Sequence, residues 1–342
     1  MSYLLYLITY YIFMPYTSNP QLKTYAPSNW QGTPTDAQGR FVNIHTPFQY
    51  SLINVLKWQT TRNPYKEEKK SSRWRLNISE NVDFFDKSNT LTWLGHASFF
   101  INLAGKRLLI DPVLFPLPLM KRFSALPCST EHFKNIDYLL ISHNHRDHAD
   151  EKSIRLLAQQ NPSMKVLTGL KNEYLLQKWL SGHTIQSAGW YQMFELAEDF
   201  KIYYLPTRHW AVRYTWDLNN MLWGAFVIEW KGITIYFGGD SGYDEHFKEA
   251  AQLFPNIQYA ILGIGAYEPR WFMAQSHTAP DEAVKAFHDL KARHLIPMHY
   301  GTFDLADEPL HKPLEMLREL EQKKQIQGDV LALDIGVPLA LV

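Results

Sequence analysis

The chain carries 342 residues, and its 34 Lys+Arg are balanced by 34 Asp+Glu. That balance removes the electrostatic reason to expect a nucleic-acid partner. A hydrophobic fraction of 46% is ample for a core, and the single cysteine, Cys128, excludes an internal disulfide framework.

Cys128 reads as a small packed apolar residue, and its solitude fits a reducing, cytoplasmic compartment. Residues 4–14 are mostly apolar and aromatic. No basic residue precedes them, no small-residue cleavage site follows, and the stretch is too short to span a bilayer. Two readings stand. The segment packs on the body or frays, or Tyr3, Tyr6, Tyr10, Tyr11 and Phe13 sit at a lipid surface.

Residues 17–88 are interrupted by Pro20, Pro27, Pro34, Pro47 and Pro64, so no long element is expected there. The charge run 66–70 reads as a solvated face or loop. Trp30, Phe41, Phe48, Tyr50, Trp58 and Trp74 imply an arm packed on something larger. Residues 1–88 are therefore expected to be an irregular N-terminal extension, and 89–342 the main domain.

The regular body begins near Leu91. Strands over 91–103 and 107–110 flank the hairpin signal Ala104-Gly105-Lys106. A proline-rich loop over 115–127 carries Lys121, Arg122 and Phe123, which fit a lipid headgroup or a solvated basic pair. A buried strand over 138–141 follows, then helices over 152–160 and 173–180 around a strand at 165–168. Strands are expected over 193–196, 201–205, 222–230 and 233–237, with Lys231-Gly232 as a turn. A helix over 243–253 precedes a buried run at 259–264. Pro280 opens a helix to about 291, with Asp281 and Glu282 favourable in its first turn. A strand over 294–298, a helix over 309–323 and a strand over 330–333 complete the pattern. Two β-rich blocks trailed by helices predict an α/β fold, with two sheets packed face to face and helices outside.

The chemistry concentrates at strand ends. His143-Asn144-His145-Arg146-Asp147-His148 places four ligand-capable side chains in six residues, directly after the strand 138–141. His209, Asp240 and His299 each follow another predicted strand. A lone histidine in such a place is usually a hydrogen-bonded core residue. Three such placements beside a His-x-His-x-Asp-His cluster instead predict a metal centre. His143, His145 and His209 supply three nitrogens for one ion; Asp147, His148 and His299 suit a second; Asp240 can bridge them. No cysteine takes part, which leaves zinc, iron or manganese.

That spacing resembles the metallo-β-lactamase fold superfamily. The resemblance implies an αβ/βα four-layer sandwich of two mixed β-sheets, with the metals at one edge. A narrower match is carried by Leu91-Thr92-Trp93-Leu94-Gly95-His96-Ala97, Leu222-Trp223-Gly224, Gly239-Asp240-Ser241-Gly242-Tyr243, the stretch 264–273 and His299-Tyr300-Gly301-Thr302-Phe303. These are similar to the N-acylphosphatidylethanolamine-hydrolysing phospholipase D family. The match runs roughly over 41–320, and 266–273 discriminates most.

The resemblance implies a dinuclear phosphodiesterase with two Zn2+, a phospholipid substrate, a transient membrane-surface contact and a homodimer. It implies no nucleic-acid partner, and a cytoplasmic protein peripheral to the inner membrane face. The implied reaction is attack on phosphorus by a hydroxide shared between two metals. Asp147 and His277 are the candidate catalytic residues. His277 either serves the leaving or phosphoryl oxygen or is a helix-entry histidine. Asp111 is expected to orient a ligand histidine. His96, Tyr267, Glu268 and Arg270 are candidates to line the site, with an Arg270–Glu268 pair stiffening the loop as the competing reading. Trp210, Trp223 and Trp271 suit an acyl groove or a core. The alternatives are a hydrolase of a small soluble substrate such as a sugar-phosphate lactone, a nuclease, an iron redox protein of the same fold, and a binding module without metals.

Overall fold

The computed structural model describes residues 15–342. The aromatic segment before Pro15 lies outside the described residues. In chain order the strands are β1 (Tyr16–Thr17), β2 (Lys23–Thr24), β3 (Thr33–Pro34), β4 (Thr90–Trp93), β5 (Phe99–Leu103), β6 (Lys106–Ile110), β7 (Tyr138–Ile141), β8 (Lys165–Gly169) and β9 (Ile185–Ala188). They continue as β10 (Gln192–Ala197), β11 (Phe200–Leu205), β12 (Ala225–Trp230), β13 (Ile233–Phe237), β14 (Tyr259–Gly263), β15 (His294–Met298), β16 (Asp329–Val330) and β17 (Pro338–Ala340). The helices are α1 (Leu52–Thr60), α2 (Lys66–Ser71), α3 (Glu151–Gln160), α4 (Glu173–Leu176), α5 (His246–Leu253), α6 (Arg270–Met273), α7 (Pro280–Asp289) and α8 (Lys312–Gln322).

Two mixed sheets result. One runs β17-β4-β5-β6-β7-β8-β9, the other β16-β15-β14-β13-β12-β11-β10-β2. Strand alternation explains their layering. Phe99, Ile101, Leu108, Ile110, Tyr138 and Leu140 join the core between the sheets. Their neighbours Phe100, Leu109, Leu139 and Ile141 face the opposite way and pack with Ile154 and Leu157 of α3. Phe247 of α5 and Ala283 and Phe287 of α7 pack with the residues of the other sheet. The chain therefore has the expected αβ/βα order.

The hairpins form where expected. Ala104-Gly105 and Lys231-Gly232 all have positive φ, between 44° and 87°. Two such residues in succession match the right-handed twist of antiparallel strands. The predicted strand 91–103 is instead two strands. Leu94 N–H donates to Ser98 O at 2.9 Å, and Gly95 and His96 take positive φ, so the chain doubles back at His96. The predicted helix 173–180 is regular only over α4. Strands β9 and β17, both at edges of the seven-stranded sheet, went unpredicted. So did α1, although Ser51 caps it by accepting from Asn54 N–H. The run 66–70 is helical, with no buried residue.

The N-terminal arm is bound closely to the body. β2 pairs with β10 at the edge of the eight-stranded sheet, and Phe41 is fully buried in the main core. Arg122 serves neither reading given to the 121–123 stretch. Its guanidinium donates to the carbonyls of Val113 at 2.6 Å, Ser124 at 2.7 Å and Leu94 at 2.8 Å, so it ties loops together. Among the described residues, no helix is long and apolar enough to cross a membrane.

Candidate metal centre

The parallel strands β13, β14 and β15 all end at one edge of their sheet, and β7 ends at the same edge of the other. Irregular loops beyond such carboxyl ends are where α/β proteins gather functional groups. The backbone there is unusual. His96, Asp111, Ala266 and His299 all have positive φ, a costly conformation for residues with a Cβ. Two glycines permit the crowding. A Cβ on Gly239 would lie 2.8 Å from Gly224 O, and one on Gly265 would lie 2.1 Å from His299 O.

All seven candidate ligands converge. His143, His145, His209 and Asp240 form one group whose ligand atoms lie within 4.8 Å of one another. His96, Asp147, His148 and His299 form a second. In the first group, His143 Nε2 lies 2.9 Å and His209 Nε2 3.1 Å from His145 Nδ1. The tautomers follow from the other ring nitrogens. His209 Nδ1–H donates to Ser276 O at 3.0 Å. Ser142 Oγ donates to Asp111 and so accepts from His143 Nδ1–H at 2.9 Å. Both Nε2 lone pairs therefore point at His145 Nδ1. Three such nitrogens around one point suit a cation better than they suit one another.

Asp240 stands between the groups. Its Oδ2 lies 3.1 Å from His148 Nε2, 3.8 Å from His209 Nε2 and 3.9 Å from His143 Nε2, while Oδ1 lies 3.2 Å from His299 Nε2. Neither Asp240 Oδ1 nor His299 Nε2 has a hydrogen bond, although both are buried. Asp147 Oδ2 lies 3.1 Å from His96 Nε2 and 3.6 Å from His299 Nε2. Burial alone would raise both carboxylates, but the surrounding histidines hold them well below the usual range. Burial pushes His299 down, and Asp240 with Asp147 outweighs it to set His299 at about 9. Burial takes His145 down to about 4, and His143 and His209 well below the ordinary imidazole value. The first group thus joins three imidazoles whose protonation is disfavoured to the Asp240 carboxylate, and the second joins histidines to the Asp147 carboxylate. The donor set fits two divalent ions.

The supporting contacts are specific. Asp111, fully buried, accepts from His148 Nδ1–H at 2.8 Å and from Ser142 N–H at 2.7 Å, which turns His148 Nε2 toward Asp240. His96 is a residue expected either to line the site or merely to pack. It packs 4.1 Å, ring to ring, from His299 and touches Asp147 directly. His277 Nδ1 lies 3.9 Å from Asp240 Oδ2, in a group with His299.

None of His96, Tyr267, Glu268 and Arg270 lines the cavity. Tyr267 is buried and its hydroxyl donates to Met316 Sδ at 3.0 Å. The Arg270 guanidinium pairs with Glu282 and donates to His277 O at 3.2 Å, while the Glu268 side chain accepts from Arg270 N–H at 3.2 Å instead of pairing with the guanidinium. Glu268 N–H is held by Glu308 Oε2 at 3.0 Å. Glu308, which the sequence reading missed, also accepts from Ala266 and Tyr267 N–H and so pins the loop. Trp223 is core, Trp271 is half exposed under Lys57, and Trp210 alone of the three tryptophans lines the cavity.

That cavity holds about 490 Å³. Its floor includes His145, Asp147, Asp240, His277 and His299. Its walls include Phe48, Tyr50, Val55, Trp58, Trp210 and Phe272. Phe48 stacks on Trp210 at 5.1 Å and Trp58 on Phe272 at 5.2 Å. Four of those six wall residues belong to the N-terminal arm. The arm also supplies Asn43, another residue the sequence did not signal. Its buried carboxamide donates to His209 O at 3.0 Å and accepts from His209 N–H at 3.2 Å. Asn43→Ala leaves both groups unpaired, and is expected to cost about 1–3 kcal/mol in a denaturant titration. An unchanged midpoint would show that water replaces the pair.

Comparison with known proteins agrees with this geometry. Residues 106–300, more than half of the chain, match the Beta-lactamase superfamily domain. The chain is 31% identical over 278 residues to N-acyl-phosphatidylethanolamine-hydrolyzing phospholipase D 1 of Caenorhabditis elegans, covering 74% of this chain and 76% of that protein. It is 29% identical to the mitochondrial N-acyl-phosphatidylethanolamine-hydrolyzing phospholipase D of Saccharomyces cerevisiae, covering 68% of this chain and 51% of that protein. It thus spans about half the yeast relative's length. The isothiocyanate hydrolase from Delia radicum gut bacteria shares the fold, with a TM-score of 0.60 and 18% identity over 74% of this chain and 98% of that one. The gathered histidines and aspartates, at the edge of two facing sheets, are thus set in a chain that belongs to the beta-lactamase superfamily, as a metal-dependent hydrolase homologous to the N-acylphosphatidylethanolamine-hydrolysing phospholipases D.

Proposed function

We propose that the chain hydrolyses the phosphodiester of an N-acylphosphatidylethanolamine, giving an N-acylethanolamine and phosphatidic acid. One observation carries this reading: His145, Asp147, Asp240 and His299 lie at the floor of a cavity whose walls are mostly aromatic and aliphatic, with Arg146 and Arg213 among them. An amphiphile with a phosphate beside acyl chains matches both surfaces. The names of the worm and yeast relatives support the same substrate.

His143, His145, His209 and Asp240 would hold one ion, and Asp147, His148, His299 and Asp240 the other, with zinc suited to these donors. Bound ions would supply an acidified water and neutralise charge on the phosphoryl oxygens. His277 faces the same cavity, placed to hydrogen-bond a phosphoryl oxygen or to pass a proton to the leaving oxygen. Asp147 holds His96 and faces His299, so its catalytic part is to keep the second ion's ligands in register. The apolar walls exclude water from the acyl side and orient the scissile bond toward the floor. A transient contact with a lipid surface belongs to this reading.

The test is phosphatidic acid release from N-acylphosphatidylethanolamine in mixed micelles, using protein of measured metal content, with and without a chelator. Chelator-sensitive release at two ions per chain is expected. No release from protein that retains its metal and still cleaves a generic phosphodiester would discard the lipid and favour a small soluble substrate.

A further inference from the structure

Each ligand group draws on loops of both sheets, His143 to His148 following β7 and His209, Asp240 and His299 following β11, β13 and β15, so the gap between those loops must be fixed. Arg213 spans it. It lies four residues beyond His209, and its side chain is buried. Its Nη1 donates to Ala149 O at 2.7 Å and to Asn144 O at 3.3 Å. Those two carbonyls stand on either side of His145, Asp147 and His148. The guanidinium carbon also sits 4.9 Å from the centre of the Trp179 ring, a cation–π contact.

The base of this arm is itself anchored. The N–H groups of Arg213 and Tyr214 both donate to Asp217 Oδ1, at 2.8 and 2.9 Å. Asn219 closes the same loop, since its N–H donates to Ala211 O at 2.7 Å and its Oδ1 accepts from Ala211 N–H at 3.0 Å. A rigid loop that carries His209 at one end therefore carries, at the other, a cation that grips the loop of His143 to His148.

We propose that Arg213 is a positioning residue of the metal centre, which sets metal affinity and coordination geometry by locking the ligand loop of one sheet to that of the other. The inference rests on reading the cluster as a metal centre and not on the identity of the substrate. Arginine suits the task because its flat, permanently charged head donates to carbonyls while stacking on an aromatic face. Lysine keeps the charge and loses the stack. Partners that hold ligands without being ligands typically shift metal affinity by about 10- to 100-fold when removed.

The test uses the full chain, stripped of metal and titrated with zinc against a chromophoric chelator, and separately with cobalt(II) followed by its visible absorption. Arg213→Met is expected to keep its circular dichroism, to bind zinc about 10- to 100-fold more weakly, and to show an altered cobalt spectrum. Arg213→Lys is expected to fall between it and the parent. Unchanged affinity and spectrum in Arg213→Met would overturn the proposal. So would a rise in KM alone at unchanged affinity, which would make Arg213 a substrate contact. Should the methionine variant not fold, Arg213→Lys decides: weakened zinc binding supports the proposal and parental binding overturns it. Failure of the parent chain to bind either metal would overturn the metal reading itself, an outcome distinct from the others.

Discussion

Asp240→Asn is expected to lower turnover by at least about 100- to 1,000-fold, the scale of losing one charge-stabilising group from an active site. Asp240 faces both ligand groups, with Oδ2 toward His148, His209 and His143 and Oδ1 toward His299. Asparagine keeps the shape and removes the charge. One of its two atoms becomes an amide nitrogen, which has hydrogens where a ligand needs a lone pair. The variant should therefore lose bound metal along with activity, while the core, which does not include this side chain, keeps its circular dichroism. The measurement is kcat with metal content on the same sample. Turnover within about tenfold of the parent in a folded variant would remove Asp240 from the mechanism.

Removal of metal is expected to cost stability as well as activity. Asp240 Oδ1 and His299 Nε2 are buried without a hydrogen bond beside the part-buried Asp147 carboxylate, and bound ions would satisfy all three. An ion present at about 100 times its dissociation constant stabilises the folded state by about 2.7 kcal/mol. Each kcal/mol is worth about 2–4 °C in a domain of some 150–250 residues. Chelation should thus lower the thermal midpoint by roughly 5–10 °C, and zinc should restore it. A midpoint indifferent to chelator and zinc alike would mean that the cluster is held by its own hydrogen bonds. Measured with activity on one preparation, the two curves separate a catalytic ion from one that only stabilises.

The sequence by itself marked out the seven candidate ligands that the fold brings together, because metal binding needs particular side chains and the loops that present them follow short apolar strands. His143 to His148 is a local pattern, and His209, Asp240 and His299 each announce themselves at a strand end. The alternation of Phe99, Ile101, Leu108 and Ile110 with Phe100 and Leu109 likewise marks two buried faces, from which layered sheets follow. The hairpins at Ala104-Gly105 and Lys231-Gly232 were legible for the same reason, since a two-residue turn demands positive φ.

Only the tertiary structure decided which residues support the centre. Asn43, Arg213 and Glu308 act on main-chain N–H and C=O groups, which every residue carries, so their partners leave no signature in residue type. Asn43 meets His209 across 166 positions of sequence. In the discriminating stretch 266–273, Tyr267, Glu268 and Arg270 suit either a pocket lining or a stiffened loop; Tyr267 and Arg270 turn away to Met316 and Glu282, Phe272 lines the cavity, and Glu308 sets the loop from outside it. The proline-broken arm read as an irregular extension, yet it supplies Phe48, Tyr50, Val55 and Trp58 to the cavity. Local patterns report which side chains a strand or loop presents. Long-range packing alone reports what those side chains face, because apolar burial is non-directional and accepts any surface of the right shape.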